Sequence, residues 1–152
     1  MDNNKLWLRL IGQIMVVGSV SGKNNFDVNK EFQELVHIET LKNLPEQERI
    51  INVNYVLRES KVRYASEGLD KCAKTKAVLH NFQTLQQFDG GMLGILGTLH
   101  LYAGKTAEFE RVDFFKDNFQ FMKNKSARDY LMGIGMNRNM LALDVRIQNI
   151  FN

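Results

Sequence analysis

The amino-acid sequence predicts an all-α protein. Apolar residues recur three and four positions apart along most of the chain, as they do on one face of a helix, and the alternating β-branched runs typical of strands are scarce. The chain contains a single proline, Pro45, so little interrupts the helical pattern. With 152 residues, of which 44% are hydrophobic, it has the size and composition of one compact helical domain over residues 1–152.

The individual helices follow from this periodicity. Pro45 is expected at the first position of its helix, because its missing N–H would be unpaired there in any case. Gly18 ends the first helix, and Gly18–Asn25 is expected to be a polar loop. The predicted helices are Leu6–Val17, Asn29–Ile38, Pro45–Glu59, Gly68–Phe88, Phe109–Met122, Lys125–Met132 and Val145–Phe151.

The glycine-rich stretch DGGMLGILGTLHLYAGKT, residues 89–106, raises the question of a nucleotide site. Its final Gly-Lys-Thr resembles the end of a phosphate-binding loop, but that motif requires a glycine where Leu99 stands and a strand before it. The stretch is therefore predicted to be an apolar helix whose small residues permit close helix packing.

Composition excludes several other classes of function. A single cysteine, Cys72, cannot form an internal disulfide or hold an iron–sulfur cluster, and the three histidines are too scattered to suggest a metal site. No cofactor is expected. The apolar segment Leu6–Val17 is too short to span a bilayer, so the sequence indicates an intracellular protein, cytoplasmic or nuclear. The net charge of +3 permits nucleic-acid binding, and the basic excess lies between Lys116 and Arg128.

Lys125 and Asp144 are the candidate catalytic residues. A lysine attacks carbon only as the neutral amine. If Asn124 caps the helix that begins at Lys125, the positive end of the helix dipole disfavours the ammonium form, as do the nearby Lys123 and Arg128.

Asp144 follows Lys125 by nineteen residues and stands where an N-cap would open the next predicted helix. A neutral amine facing a carboxylate supports nucleophilic substitution, in which the carboxylate stabilises developing positive charge. The alternative is a surface lysine and an ordinary capping aspartate, and the spacing alone favours this alternative.

A family resemblance favours the catalytic interpretation of Lys125 and Asp144 over the surface interpretation. The stretch KSARDYLMGIGMNRNMLALDVRIQNIF, residues 125–151, resembles the helix-hairpin-helix DNA glycosylase superfamily, in particular the 8-oxoguanine DNA glycosylase/AP lyases, including their compact archaeal-type members. In that family a hairpin precedes a nucleophilic lysine, a helix, a glycine-containing turn and then an aspartate. Lys125 and Asp144 fall on these two positions. The upstream segments LWLRLIGQIMVV, LPEQERI and SKVRYASEGLDKCAKTKAVL follow the order of the family's helices.

The resemblance implies a base-excision repair enzyme that acts on double-stranded DNA containing a damaged base or an abasic site. Such an enzyme extrudes the damaged base, which would be an oxidised purine. Lys125 would attack the sugar to form a Schiff base, and Asp144 would stabilise the charge. The loop around Lys23 would fill the gap left in the duplex, or it is a plain polar loop.

The segment Phe121–Asn124, FMKN, stands where the family carries a phosphate-binding Gly-x-Gly. The expected DNA contacts are accordingly Lys123, Asn124 and Arg128, and Arg138 and Asn139 are either phosphate contacts or a solvated turn.

Two alternatives stay open. The missing glycines favour a non-catalytic helical DNA-binding or interaction protein derived from the same fold. Relatives usually continue with further helices after the aspartate, so this chain is either a minimal member or one whose base pocket is completed by a lost segment or a partner chain.

Overall fold

The computed structural model describes residues 1–65, 68–69 and 71–138, and within these ranges the prediction of an all-α protein is confirmed. No helix in the described ranges is long and apolar enough to cross a membrane. The helices of this part of the chain are α1 (Asn3–Met15), α2 (Ser21–Asp27), α3 (Lys30–Leu35), α4 (Ile38–Lys42), α5 (Glu46–Glu59), α6 (Ala73–Gln86), α7 (Gly91–His100), α8 (Ala107–Asn118) and α9 (Asn124–Gly133).

The longer predicted helices are confirmed with shifted ends. The helix predicted to end at Val17 ends at Met15, as α1. Pro45 occupies the cap position of α5, one residue before the helix begins. α6 begins at Ala73 and not at Gly68, because Gly68 accepts a turn hydrogen bond from the N–H of Lys71 (3.2 Å) outside the helix.

The prediction of a polar loop over Gly18–Asn25 is wrong, because residues 21–27 form α2. Gly22 lies directly against Val62, and a Cβ atom at position 22 would be only 2.6 Å from the Cα of Val62. Four residues later, Phe26 is buried in the core. Two inward-facing positions one turn apart, one of them without a side chain, are enough to dock this otherwise polar helix.

The prediction of one helix over Asn29–Ile38 is also corrected. Asn29 caps α3 by accepting a hydrogen bond from the N–H of Phe32 (3.1 Å), but α3 stops at Leu35. A new helix, α4, then begins after His37, whose Nδ1 accepts a hydrogen bond from the N–H of Glu39 (3.1 Å). The chain therefore turns between two short capped helices where one longer helix was expected.

Helix α1 lies at the centre of the core and packs against α2, α6, α7 and α9. It begins at Asp2, whose carboxylate accepts a hydrogen bond from the N–H of Lys5 (2.8 Å). Trp7 is fully buried, its indole N–H donates to the carbonyl of Val36 (2.8 Å), and its ring meets Phe82 edge-on at 5.9 Å. One side chain thus joins α1 to α6 and to the connection between α3 and α4.

The glycine-rich stretch forms α7, as its interpretation as an apolar helix predicts. The start of α7 is fixed by a side chain of α1. The Oδ1 atom of Asn3 accepts from the N–H of Leu93 (2.8 Å), and its Nδ2 donates to the carbonyl of Gly90 (3.1 Å). The two helices therefore begin at the same end of the fold.

Candidate nucleic-acid interface

Helices α8 and α9 pack against each other and are joined by a five-residue hairpin, residues 119–123. Phe119 and Met122 are buried, so they anchor both ends of the connection in the core. Between them Phe121 adopts a left-handed backbone conformation with φ of 59°. The tight turn therefore forms without glycine, and a bulky residue takes the conformation that glycine would adopt more readily.

Asn81 of α6 anchors this hairpin to the core. It is fully buried, and its amide makes two hydrogen bonds to one residue, Gln120. Its Oδ1 accepts from the Gln120 N–H (2.8 Å), and its Nδ2 donates to the Gln120 carbonyl (3.1 Å). Sequence reasoning missed Asn81, although a polar residue between Val78 and Phe82 on the apolar face of a helix is the signal that would have indicated a buried polar contact.

Lys125 is exposed and lies in the first turn of α9. The expectation that Asn124 caps this helix is wrong: Asn124 is the first helical residue, and Lys123 occupies the cap position. The side chain of Lys123 makes no capping hydrogen bond to the first N–H groups of α9. Because Lys123 is also exposed, two ammonium groups stand beside these backbone donors.

The other predicted DNA-contact residues differ in their exposure and in their bonding partners. Arg128 is 4% exposed, so in the free chain its guanidinium is not a surface contact. Lys23 lies on α2, where it is half-buried and forms an ion pair with Asp27. Arg138 is exposed, and its backbone N–H donates to Glu108 (2.8 Å).

Two members of the predicted site, Asp144 and Asn139, lie outside the described residues, as does the predicted helix Val145–Phe151. Of the predicted site residues, the structure thus brings together Lys123, Asn124 and Lys125 at one helix start.

A cleft of about 760 Å³ opens beside this helix, between α9, α1 and the α2–α3 region. Asp129 lines the cleft and stands four residues after Lys125, so the two side chains share one face of α9. The opposite wall carries Gln13 and Lys23, and Leu8 and Ile134 contribute apolar surface. The cleft therefore offers hydrogen-bond donors and acceptors beside apolar side chains, and Asp129 on its wall lies one helical turn from Lys125.

Helix α9 is fixed to α1 at two points. The hydroxyl of Tyr130 donates to the carbonyl of Leu6 (2.9 Å), and Arg9 donates through Nη1 to the carbonyl of Gly133 (3.0 Å). Burial raises the pKa of the Tyr130 hydroxyl, so this group remains a donor well into the alkaline range. The face of α9 that bears Lys125 is therefore set by one buried and one exposed hydrogen bond to α1.

The residues Gly133, Ile134 and Gly135 form the glycine-containing turn, here called the corner, that was expected after this helix. α9 ends at Gly133, and Gly135 adopts a left-handed conformation with φ of 79°. The N–H of Gly135 donates to the carbonyl of Met132 (3.1 Å), and the N–H of Met136 donates to that of Leu131 (2.9 Å). This pair of bonds is a Schellman motif, in which glycine is the residue that best tolerates the reversed backbone.

Replacing Gly135 by alanine is expected to lower the free energy of unfolding by about 1 kcal/mol, because alanine is strained at this positive φ. Gly133 is the matched control, since it lies in the last turn of the helix with open space around its Cα. Gly133→Ala should leave stability equal or slightly higher. Urea unfolding followed by circular dichroism measures both variants, and equal losses would contradict the assignment of the corner to Gly135.

Arg111 of α8 is a second group that sequence reasoning missed. It is 9% exposed, and its guanidinium binds carbonyl groups at the end of α7 and the residues after the Gly135 corner. The acceptors are the carbonyls of Leu99 (3.0 Å), Tyr102 (3.2 Å) and Met136 (3.4 Å) and the Oδ1 atom of Asn137 (3.1 Å). Arg111 therefore fastens the corner to α7 and α8.

Lys74 is a buried lysine at the far end of α1. Its Nζ donates to the carbonyls of Val17 (2.6 Å) and Met15 (3.4 Å), which are left free where α1 ends. Burial lowers the pKa of Lys74; Cys72 opposes this shift, and Arg63 adds to it. Because its donors are occupied by backbone carbonyls, Lys74 stabilises the end of α1 and is a poor candidate for the nucleophile.

The chain matches no protein-family model, and the comparisons found no similar protein among curated proteins or solved structures.

Proposed function

We propose that this protein is a DNA glycosylase with AP lyase activity and that Lys125 is its nucleophile. The observation that carries the proposal is the position of Lys125: it is exposed in the first turn of α9, directly after a tight α8–α9 hairpin. This is the order of elements in the helix-hairpin-helix glycosylases that residues 125–151 resemble. The support is the agreement between that resemblance and the local structure around the lysine.

The hairpin is assigned the binding of a DNA phosphate. A phosphate placed at the start of α9 would accept hydrogen bonds from the uncapped backbone N–H groups, and Lys123 would contribute charge. The left-handed residue Phe121 allows this approach even though the hairpin lacks the usual glycines. The duplex would thereby be held with a sugar close to Lys125.

The reaction needs the neutral amine, which gives up its two protons in turn, and a proton acceptor for the last step. The Nζ of Lys125 attacks C1′, the bond from C1′ to the base breaks, and the base leaves with the bonding electrons and takes up one proton from Nζ. The bond from C1′ to O4′ then breaks, O4′ takes up the second Nζ proton, and an imine remains between Nζ and C1′. Loss of a C2′ proton expels the 3′ phosphate oxygen and cleaves the strand. Asp144 is assigned the stabilisation of positive charge on the sugar.

The cleft beside α9 is assigned to the extruded base. Its wall at Asp129 lies one helical turn from Lys125, and its walls carry an amide, an ammonium group, a carboxylate and the apolar side chains of Leu8 and Ile134. Groups of this kind recognise a base by hydrogen bonds to its edge and contact with its face. Damaged bases are favoured because they cost least to unstack.

The test is covalent trapping by borohydride on a duplex containing 8-oxoguanine or an abasic site. The wild-type protein should form an adduct, and Lys125→Gln should abolish it, because removing a nucleophile costs several orders of magnitude in rate. Lys123→Gln is the matched control: it removes an equally exposed lysine two residues away and should weaken binding while the adduct still forms.

Two outcomes would contradict the proposal. One is the absence of a wild-type adduct under conditions in which a known lyase forms one. The other is an adduct that persists in Lys125→Gln, which would place the nucleophile elsewhere. DNA binding without any adduct would instead favour the non-catalytic DNA-binding protein, the interpretation supported by the lack of glycine in Phe121–Asn124.

A further inference from the structure

Tyr64 lies in the connection between α5 and α6 and combines two features that are costly for a tyrosine. Its backbone is left-handed, with φ of 69°, and its side chain is 67% exposed. A non-glycine residue in this conformation costs roughly 1–3 kcal/mol, and an exposed ring recovers little of that by burial. Strain of this kind at an exposed aromatic residue indicates a functional position.

The ring is nevertheless held in a defined place. The guanidinium of Arg63 lies 4.9 Å from the ring centroid, and the ammonium of Lys74 lies 5.6 Å from it. Arg63 is itself fixed, because its Nη1 donates to the carbonyl of Gly18 (2.8 Å). Gly18 lies under the edge of the ring, where a Cβ atom would be 2.9 Å from the Cε2 of Tyr64. The ring is therefore supported from within while most of its surface faces solvent.

The connection that carries this ring has a basic excess in its sequence, which favours an anionic partner. Between positions 61 and 74 the chain carries Lys61, Arg63, Lys71 and Lys74 against Glu67 and Asp70. Lys61, Arg63 and Lys71 are exposed. An exposed aromatic ring among exposed cations is the combination that binds an unstacked base together with its flanking phosphates.

Helix α6 links this ring to the hairpin. Lys74, which contacts the ring, and Asn81, which holds the hairpin, are seven residues apart, so they lie on one buried face of α6 two turns apart. The rise between them is about 10 Å, close to the height of three stacked base pairs. The points at which α6 holds the ring and the hairpin are therefore no farther apart along its axis than the length of a short duplex.

We propose that Tyr64, with the exposed cations Lys61, Arg63 and Lys71 of the same connection, forms a second DNA contact in which the ring stacks on a base exposed beside an abasic or extruded position. This inference rests on the DNA-binding part of the proposed function and does not depend on the chemistry of Lys125. It also replaces the expectation that the Gly18–Asn25 region fills the gap in the duplex, since that region is a docked helix in which Lys23 is paired with Asp27.

The test uses a duplex with a tetrahydrofuran abasic analogue, which cannot form a Schiff base, opposite 2-aminopurine. The wild-type protein should bind and change the 2-aminopurine fluorescence as the ring stacks. Tyr64→Asn removes the ring and suits the left-handed backbone, so the variant should fold, bind roughly 5- to 100-fold more weakly and lose the fluorescence change. Tyr64→Phe should retain both. Tyr55→Ala, which removes a half-exposed tyrosine on α5, is the control and should bind as the wild type does.

The outcomes separate this inference from the lyase proposal. Weaker binding by Tyr64→Asn supports the stacking contact even if borohydride traps no adduct. Wild-type affinity and an unchanged fluorescence response in Tyr64→Asn would overturn the contact, even if Lys125 proves to be the nucleophile. Failure of the wild-type protein to bind the duplex would overturn it as well.

Discussion

Replacing Trp7 by alanine is expected to lower the free energy of unfolding by about 4 kcal/mol. The substitution removes the largest fully buried side chain, opens a cavity between α1 and α6, and leaves the carbonyl of Val36 without its indole donor. Because Trp7 is the single tryptophan, unfolding has to be followed by circular dichroism in urea and not by tryptophan fluorescence.

Trp7→Phe separates the two contributions. The phenyl ring still fills part of the site against Phe82, but it cannot donate to Val36, so the expected loss is about half of that in the alanine variant. A loss below about 1.5 kcal/mol in Trp7→Ala would mean that the site collapses around the smaller side chain and that Trp7 does not organise the core.

Replacing Arg111 by leucine is expected to cost about 3 kcal/mol. The change leaves four buried or half-buried acceptors without their shared donor, among them the carbonyl of Leu99 and the side chain of Asn137. The corner at Gly135 should loosen first, because Arg111 is its link to α7. Urea unfolding measures the total loss in the free energy of unfolding, and amide hydrogen exchange at Met136 measures the local opening of the corner.

Two controls accompany Arg111→Leu. Arg111→Lys keeps the charge but cannot reproduce the planar fork of donors, so its stability should fall between those of the wild type and the leucine variant. Lys116→Leu alters an exposed cation on the same helix and should change stability by less than about 0.5 kcal/mol. Equal effects at positions 111 and 116 would rule out the buried network as the cause.

The helices with strong apolar periodicity were predictable from the sequence. The α1 and α9 segments repeat their apolar residues at helical spacing, and the left-handed Gly135 marks a helix end that glycine often signals. α2 was not predictable, because its polar composition hides the fact that its buried positions, Gly22 and Phe26, and one hydrogen bond from Asn25 to the Ser60 carbonyl dock it. The stabilising contact of Gly22 is with Val62, forty residues away in sequence.

The candidate site was predictable to a smaller extent. The lysine at the start of a helix follows from local pattern, and Lys125 stands there. The groups that position α9 do not follow from local pattern, because Asn81 binds the backbone before its start and Arg111 binds the backbone after its end. Asn81 and Arg111 bind mainly peptide groups, which every residue carries. A sequence motif specifies only side chains, so no pairing of residue types in the sequence reveals these contacts. The relation of Lys125 to Asp144 stays a prediction.

The two hydrogen bonds between Asn81 and Gln120 make the length of the Asn81 side chain set the distance between the hairpin and α6. The height of the hairpin above α6 equals the reach of an asparagine amide, since both bonds close on the same residue. Glutamine has the same donor and acceptor but is longer by one carbon–carbon bond, about 1.5 Å. Glutamine at this position would therefore not preserve the geometry, and exchanging this single buried residue would move the start of α9, which carries Lys125, relative to α6.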